Sequence, residues 1–94
     1  MKVGVCRLKI HIPGSRSLKD KRSLVKSLTS RLQKQFNISI AEVGDHDLWQ
    51  VATIGIACVS NHNNRVDEIL NAVLAMINRE YPTVEIVEKD IEIY

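Results

Sequence analysis

The chain has 94 residues, 45% apolar and 26% charged, with thirteen basic and eleven acidic residues for a net charge of +2. Those proportions exclude a disordered or collagen-like chain, and the length predicts one domain, residues 1–94, with a core that needs neither disulfide nor metal. Residues 2–12 alternate with period two. Gly4, Cys6, Leu8, Ile10 and Ile12 share one face, and Val3, Val5, Arg7, Lys9 and His11 the other, so a half-buried strand is expected, ended by Pro13-Gly14-Ser15.

Residues 17–36 predict a helix. Ser17 is a natural N-cap and Asp20, three residues on, completes an acidic capping box. Leu18, Leu24, Val25, Leu28, Leu32 and Phe36 form its apolar stripe, and Lys21 falls inside that stripe, expected to snorkel out from the first turn. Lys19, Arg22 and Lys26 form a ridge at i, i+3, i+7. Residues 38–43 and 48–60 read as two strands of a hairpin around a four-residue loop, Gly44-Asp45-His46-Asp47, with Trp49 inside the second strand. A second amphipathic helix follows over 65–81, stopped by Pro82. A last strand over 83–94 changes phase between Val84/Ile86 and Ile91/Ile93, which calls for a bulge near Glu88-Lys89-Asp90.

The order βαββαβ predicts an α+β, ferredoxin-like two-layer sandwich with sheet order 4-1-3-2 and both helices on one face. Strands 1 and 3 are expected side by side at the centre and parallel. That arrangement would bring both helix N-termini to one edge, making an anion pocket of Gly14, Ser15 and Ser17 with Asn61, His62 and Asn63, with His11 and His62 close together. The uncovered sheet face would present Val3, Val5, Trp49, Val51 and Val59, an apolar set suited to a homodimer interface.

Charge divides unevenly along the chain. Residues 1–36 hold ten basic residues and one acid; residues 37–94 hold three basic and ten acidic. Arg7, Lys9, Arg16, Lys19, Arg22 and Lys26 are thus candidate RNA- or anion-binding residues. The third strand lacks the K/R-G-F/Y-G/A-F pattern of a standard RRM, leaving phosphate and shape recognition as the route to RNA. The three histidines show no metal-ligand spacing, Cys6 and Cys58 read as reduced core thiols, and no pattern calls for a cofactor. No signal-peptide pattern or membrane-length apolar run is present, so a cytoplasmic protein is expected.

The segments GVCRLKIHIPGSRSLKDKRSLVKSL and NISIAEVGDHDLWQVATIGIACVSN resemble the YlxP-like family of small bacterial proteins of unknown function. The resemblance spans nearly the whole chain, implies a ferredoxin-like fold, and carries no catalytic residue. The genes of such proteins often neighbour those of translation and ribosome-maturation factors, which implies a ribosomal association. A non-catalytic RNA- or ribosome-binding protein is therefore the expected function. The alternatives are an acylphosphatase-like hydrolase, with Arg16 as anion clamp and an Asn of 61–64 orienting water, and a structural homodimer.

Overall fold

In the computed structural model, which describes residues 1–94, the alternating segment forms β1 (Lys2–His11), burying Gly4, Cys6, Leu8 and Ile10. Ser17 caps α1 (Leu18–Gln35): its Oγ accepts from the Asp20 N–H at 3.0 Å, and Asp20 Oδ2 accepts from the Arg16 N–H at 3.0 Å. The chain continues through β2 (Ser39–Gly44), β3 (Val51–Ser60), α2 (Asn63–Glu80) and β4 (Glu85–Ile93). The sheet order is β2-β3-β1-β4, which is 4-1-3-2 read from the other side. One face is covered, with α1 packing on β2 and β3, and α2 on β1, β3 and β4.

Every pairing in the sheet is antiparallel, including β1 with β3, in which Lys2 faces Ser60 and His11 faces Val51. This corrects the expected parallel centre. A helical crossover makes β2 parallel to β1, and the hairpin then reverses β3. The strand that inserts beside β1 must therefore run against it.

The core joins β1, β3 and both helices through Leu8, Ile10, Leu28, Leu32, Ile54 and Leu70, each at most 1% exposed. Each such side chain contributes roughly 1.5–3 kcal/mol on burial. Gly4 lies directly under Val66 and Leu70 of α2. A Cβ there would stand 2.1 Å from Val66 Cγ1 and 3.3 Å from both Cys58 Sγ and Leu70 Cδ1. The Gly4→Ala variant is expected to lose about 1–3 kcal/mol through overpacking, read as a lower urea midpoint at unchanged slope. An unshifted midpoint would show that α2 moves away freely.

Two local expectations are adjusted. The β4 irregularity falls at Val87, one residue before the expected segment: Lys9 faces Glu88 while Ile10 faces Ile86, leaving Val87 as the extra residue. Beyond it the register sets Glu88 across from Lys9 and Asp90 across from Arg7. The β2–β3 loop spans six residues, Asp45–Gln50, instead of four, because β3 begins only at Val51. Trp49 therefore belongs to the loop and not to the strand.

Candidate nucleic-acid interface

The inward side of α1 carries Val25, Leu28 and Leu32, so the helical period turns Lys19, Arg22 and Lys26 outward. All three are exposed, as is Arg16 before the cap, and none has a carboxylate within ion-pair distance. Asp20, the one acid of α1, is committed to capping. Further along, Arg31 is engaged by Glu80 at 3.2 Å and lies 5.6 Å from the Tyr81 ring centre. From Lys19 to Lys26 the helix rises about 10 Å, so the three cations form one short positive rail.

Arg7 and Lys9 stand apart from that rail. They lie on the uncovered sheet face, opposite Asp90 and Glu88 of β4, while His11 lies 3.6 Å from Glu85. With Lys89 and Asp45 they line a cleft of about 530 Å³ holding equal numbers of cations and carboxylates. The sequence groups six basic residues; none of the six closes an ion pair, but the fold sets Arg7 and Lys9 across from Asp90 and Glu88 in a charge-balanced ladder and gives Arg16, Lys19, Arg22 and Lys26 no such cross-strand neighbours.

The expected common anion pocket is not assembled. Because β1 and β3 are antiparallel, Gly14, Ser15 and Ser17 lie at the His11 end of the sheet, whereas Asn61, His62 and Asn63 lie at the Lys2 end. Nine residue steps separate those ends, about 30 Å of strand. His11 and His62 are parted in the same way, as are Arg16 and Asn61–Asn64, so the acylphosphatase-like constellation has no shared site. Ser15 is buried with its Oγ donating to the Ser17 carbonyl at 3.1 Å. His62 precedes α2 with no side-chain cap bond, and Asn61–Asn64 line a separate depression with Lys2 and Arg65.

Lys21 is the residue whose role the sequence conceals. It does not snorkel: it is fully buried, and its Nζ donates to the carbonyls of Asp45 (2.7 Å), His46 (3.3 Å) and Val51 (3.1 Å). Glu42 Oε2 lies 3.0 Å from the same nitrogen. That oxygen is buried without an aligned hydrogen bond, so the contact is an ion pair by proximity. An ammonium has three N–H donors, and here two loop carbonyls and that of Val51 at the start of β3 take them. The loop backbone is thereby satisfied from inside the protein.

Of the expected interface residues, Val3, Val5, Val51 and Val59 do lie on the uncovered sheet face, with Val5 and Val59 exposed. Beside Val3, at the end of β4, Tyr94 pairs through both backbone groups. The face is thus apolar toward one end and charged in its middle. Trp49 precedes β3, in the loop.

Over residues 3–91 the chain matches the family described as "Protein of unknown function (DUF503)". The chain belongs to that family. It is 37% identical over 83 residues to "Uncharacterized protein YlxP" of Bacillus subtilis (strain 168), a match covering 88% of this chain and 89% of the relative. Among solved structures it resembles a de novo designed protein with ferredoxin fold, LFR1 1, at a TM-score of 0.57 and 16% identity, over 100% of this chain and 84% of that one. It also resembles the de novo designed Foldit4, at 0.56 and 11%, over 100% and 97%. A third likeness, at 0.56 and 13%, is to a VAO-type flavoprotein from Myceliophthora thermophila C1; it covers 99% of this chain but 18% of the flavoprotein. At these identities the structural likenesses show the fold alone. No helix of this DUF503 chain is long and apolar enough to cross a membrane.

Its two cysteines are core residues on adjacent strands, both free. Burial pushes both thiols above their ordinary value of 9.0; for Cys6, Asp90 and Cys58 add to the rise and Lys89 opposes it. The folded protein therefore holds these protons more tightly than the unfolded chain. This contribution to stability is complete below pH 9.0 and drains away as the pH climbs through the folded thiol values. Urea midpoints for the wild type should fall between pH 8 and 10 more steeply than for a Cys6→Ala/Cys58→Ala variant. Parallel declines would remove the thiols as the cause.

Proposed function

We propose that this protein is a non-catalytic RNA-binding module, acting on structured RNA such as that of the ribosome, with the exposed side of α1 as its phosphate-binding surface. The observation that carries this reading is the set Arg16, Lys19, Arg22 and Lys26: four exposed cations with no carboxylate partner. Surface cations kept for solubility are commonly interleaved with acids. Here four acids, Glu85, Glu88, Asp90 and Glu92, are gathered on β4, at the far edge of the sheet from β2 and α1, while Glu42, Asp45 and Asp47 lie near the first turn of α1. The unpaired cations of α1 thus lie away from the charge-balanced β1–β4 edge, a difference that would orient the encounter with a polyanion.

Phosphate contacts release condensed counterions, so binding should weaken steeply with salt. The test is a salt titration of binding to protein-free ribosomal RNA fragments, comparing wild type with Lys19→Gln/Arg22→Gln/Lys26→Gln. Absence of binding at low salt would defeat the proposal.

A further inference from the structure

The Asp45–Gln50 loop combines features that neither the fold nor the cationic rail requires. Trp49 is 56% exposed and Leu48 49%. A tryptophan this exposed adds little to the core while leaving its apolar ring in water. The backbone that carries it is nevertheless firmly held. Lys21 binds the Asp45 and His46 carbonyls of the loop and that of Val51 just beyond it from within, Thr53 Oγ1 donates to Asp45 Oδ2 at 2.7 Å, and the Leu48 N–H donates to the Asp45 carbonyl at 3.1 Å. Asp45 takes the left-handed conformation, φ 60°, that this tight path demands.

The loop is also stitched to the segment leading into α1. The Ile12 N–H donates to the Gln50 carbonyl at 2.7 Å, and Gln50 Nε2 donates to the carbonyls of Pro13 (3.2 Å) and Ser15 (3.0 Å). Trp49 and Arg16 are therefore each one residue from a hydrogen-bonded pair, which brings the backbone at Trp49 to the segment that opens the cationic rail. The buried Lys21 lies in the same helical turn as Lys19 and Arg22.

We propose that Trp49 is a stacking platform for an unpaired nucleobase, next to the phosphates held by Arg16 and the first turns of α1. The inference rests on the RNA-binding reading above and adds to it the class of RNA: a duplex or structured element flanked by single-stranded nucleotides. Stacking on an aromatic ring suits a lone tryptophan, because every base offers a π-face and no hydrogen-bond code is needed. The charge around the loop agrees. Asp45 is committed to Thr53, and the exposed Asp47 disfavours a phosphate at the loop tip, leaving that position to a base while Arg16 takes the backbone beside it. The fixed loop lowers the ordering cost of the contact.

Trp49 is the only tryptophan in the chain, so its fluorescence reports directly on stacking. Two RNA hairpins with the same stem serve as ligands, one blunt and one carrying a short single-stranded tail. The tailed hairpin is expected to quench Trp49 and to bind roughly 5- to 150-fold more tightly than the blunt one, the worth of one base–aromatic stack. Trp49→Ala should abolish that preference without changing the salt slope, and Trp49→Phe should keep most of it. Lys19→Gln/Arg22→Gln/Lys26→Gln should do the reverse, lowering the slope while keeping the preference. An unchanged urea midpoint verifies that the loop variants are folded. Equal affinity for the two hairpins with no quenching would overturn the platform and leave the phosphate surface standing; failure to bind either would overturn both. Quenching by intact ribosomal subunits but not by protein-free RNA would assign Trp49 to a protein partner and overturn the base contact.

Discussion

Lys21→Met is expected to be the most damaging single substitution on α1. The variant removes the group that satisfies the carbonyls of Asp45, His46 and Val51 and leaves Glu42, with one buried carboxylate oxygen, beside an apolar chain. Breaking a buried ion pair from one side costs about 3–5 kcal/mol, because the remaining charge stays desolvated and uncompensated. A domain of this size has on the order of 5–15 kcal/mol in all, so the loss is a large share of it. In a thermal scan it corresponds to a fall of roughly 12–40 °C. The double variant Lys21→Met/Glu42→Leu should recover part of the loss, since it removes the stranded carboxylate and leaves only the carbonyls to be satisfied by water. A fall below about 1 kcal/mol in Lys21→Met would mean that solvent reaches the site readily and that the clamp is incidental. The urea midpoints of the two variants and the wild type decide this.

The contrast between Lys21 and its neighbours marks where the sequence is legible. The alternation in β1 and the Ser17–Asp20 cap are local: the residues that determine them lie within four positions of one another, and both stand in the structure as expected. The strand order follows from the element order. The relative direction of β1 and β3 follows from it too, once the hairpin reversal is counted. The common anion pocket fails at that step and not at any residue. Lys21 is different in kind. Its acceptors are backbone carbonyls 24 to 30 residues away, and every residue type carries that same carbonyl. A lysine in an apolar stripe signals only that something inside must meet it. Trp49 is hard to place for a related reason: the apolar run continues from Trp49 into Val51, so nothing in the run itself marks where β3 begins. The Val87 irregularity is implied by the phase change along β4, but its position depends on the pairing of β4 with β1, which lies at the other end of the chain.

The same register separates basic residues that look equivalent along the chain, and it gives the RNA-binding reading a sharp internal control. Lys19→Gln/Arg22→Gln/Lys26→Gln should lower the slope of log affinity against log salt by about two to three units, roughly 0.7–0.9 for each phosphate no longer neutralised. At about 0.1 M salt, three such phosphates together are worth roughly a hundred- to five-hundredfold in affinity. The three side chains are exposed, so the fold should be retained, and the loss should be the same for RNAs of different sequence because backbone contacts carry no base information. Arg7→Gln/Lys9→Gln removes two charges from the same half of the sequence, but these face Asp90 and Glu88 across β1 and β4. A phosphate approaching them meets the two carboxylates as well, so this variant should leave the slope within about half a unit of wild type. Equal slopes for the wild type and the triple variant would reduce the rail to a solvated helix face. Equal losses in the two variants would mean that overall charge, and not the unopposed side of α1, governs binding.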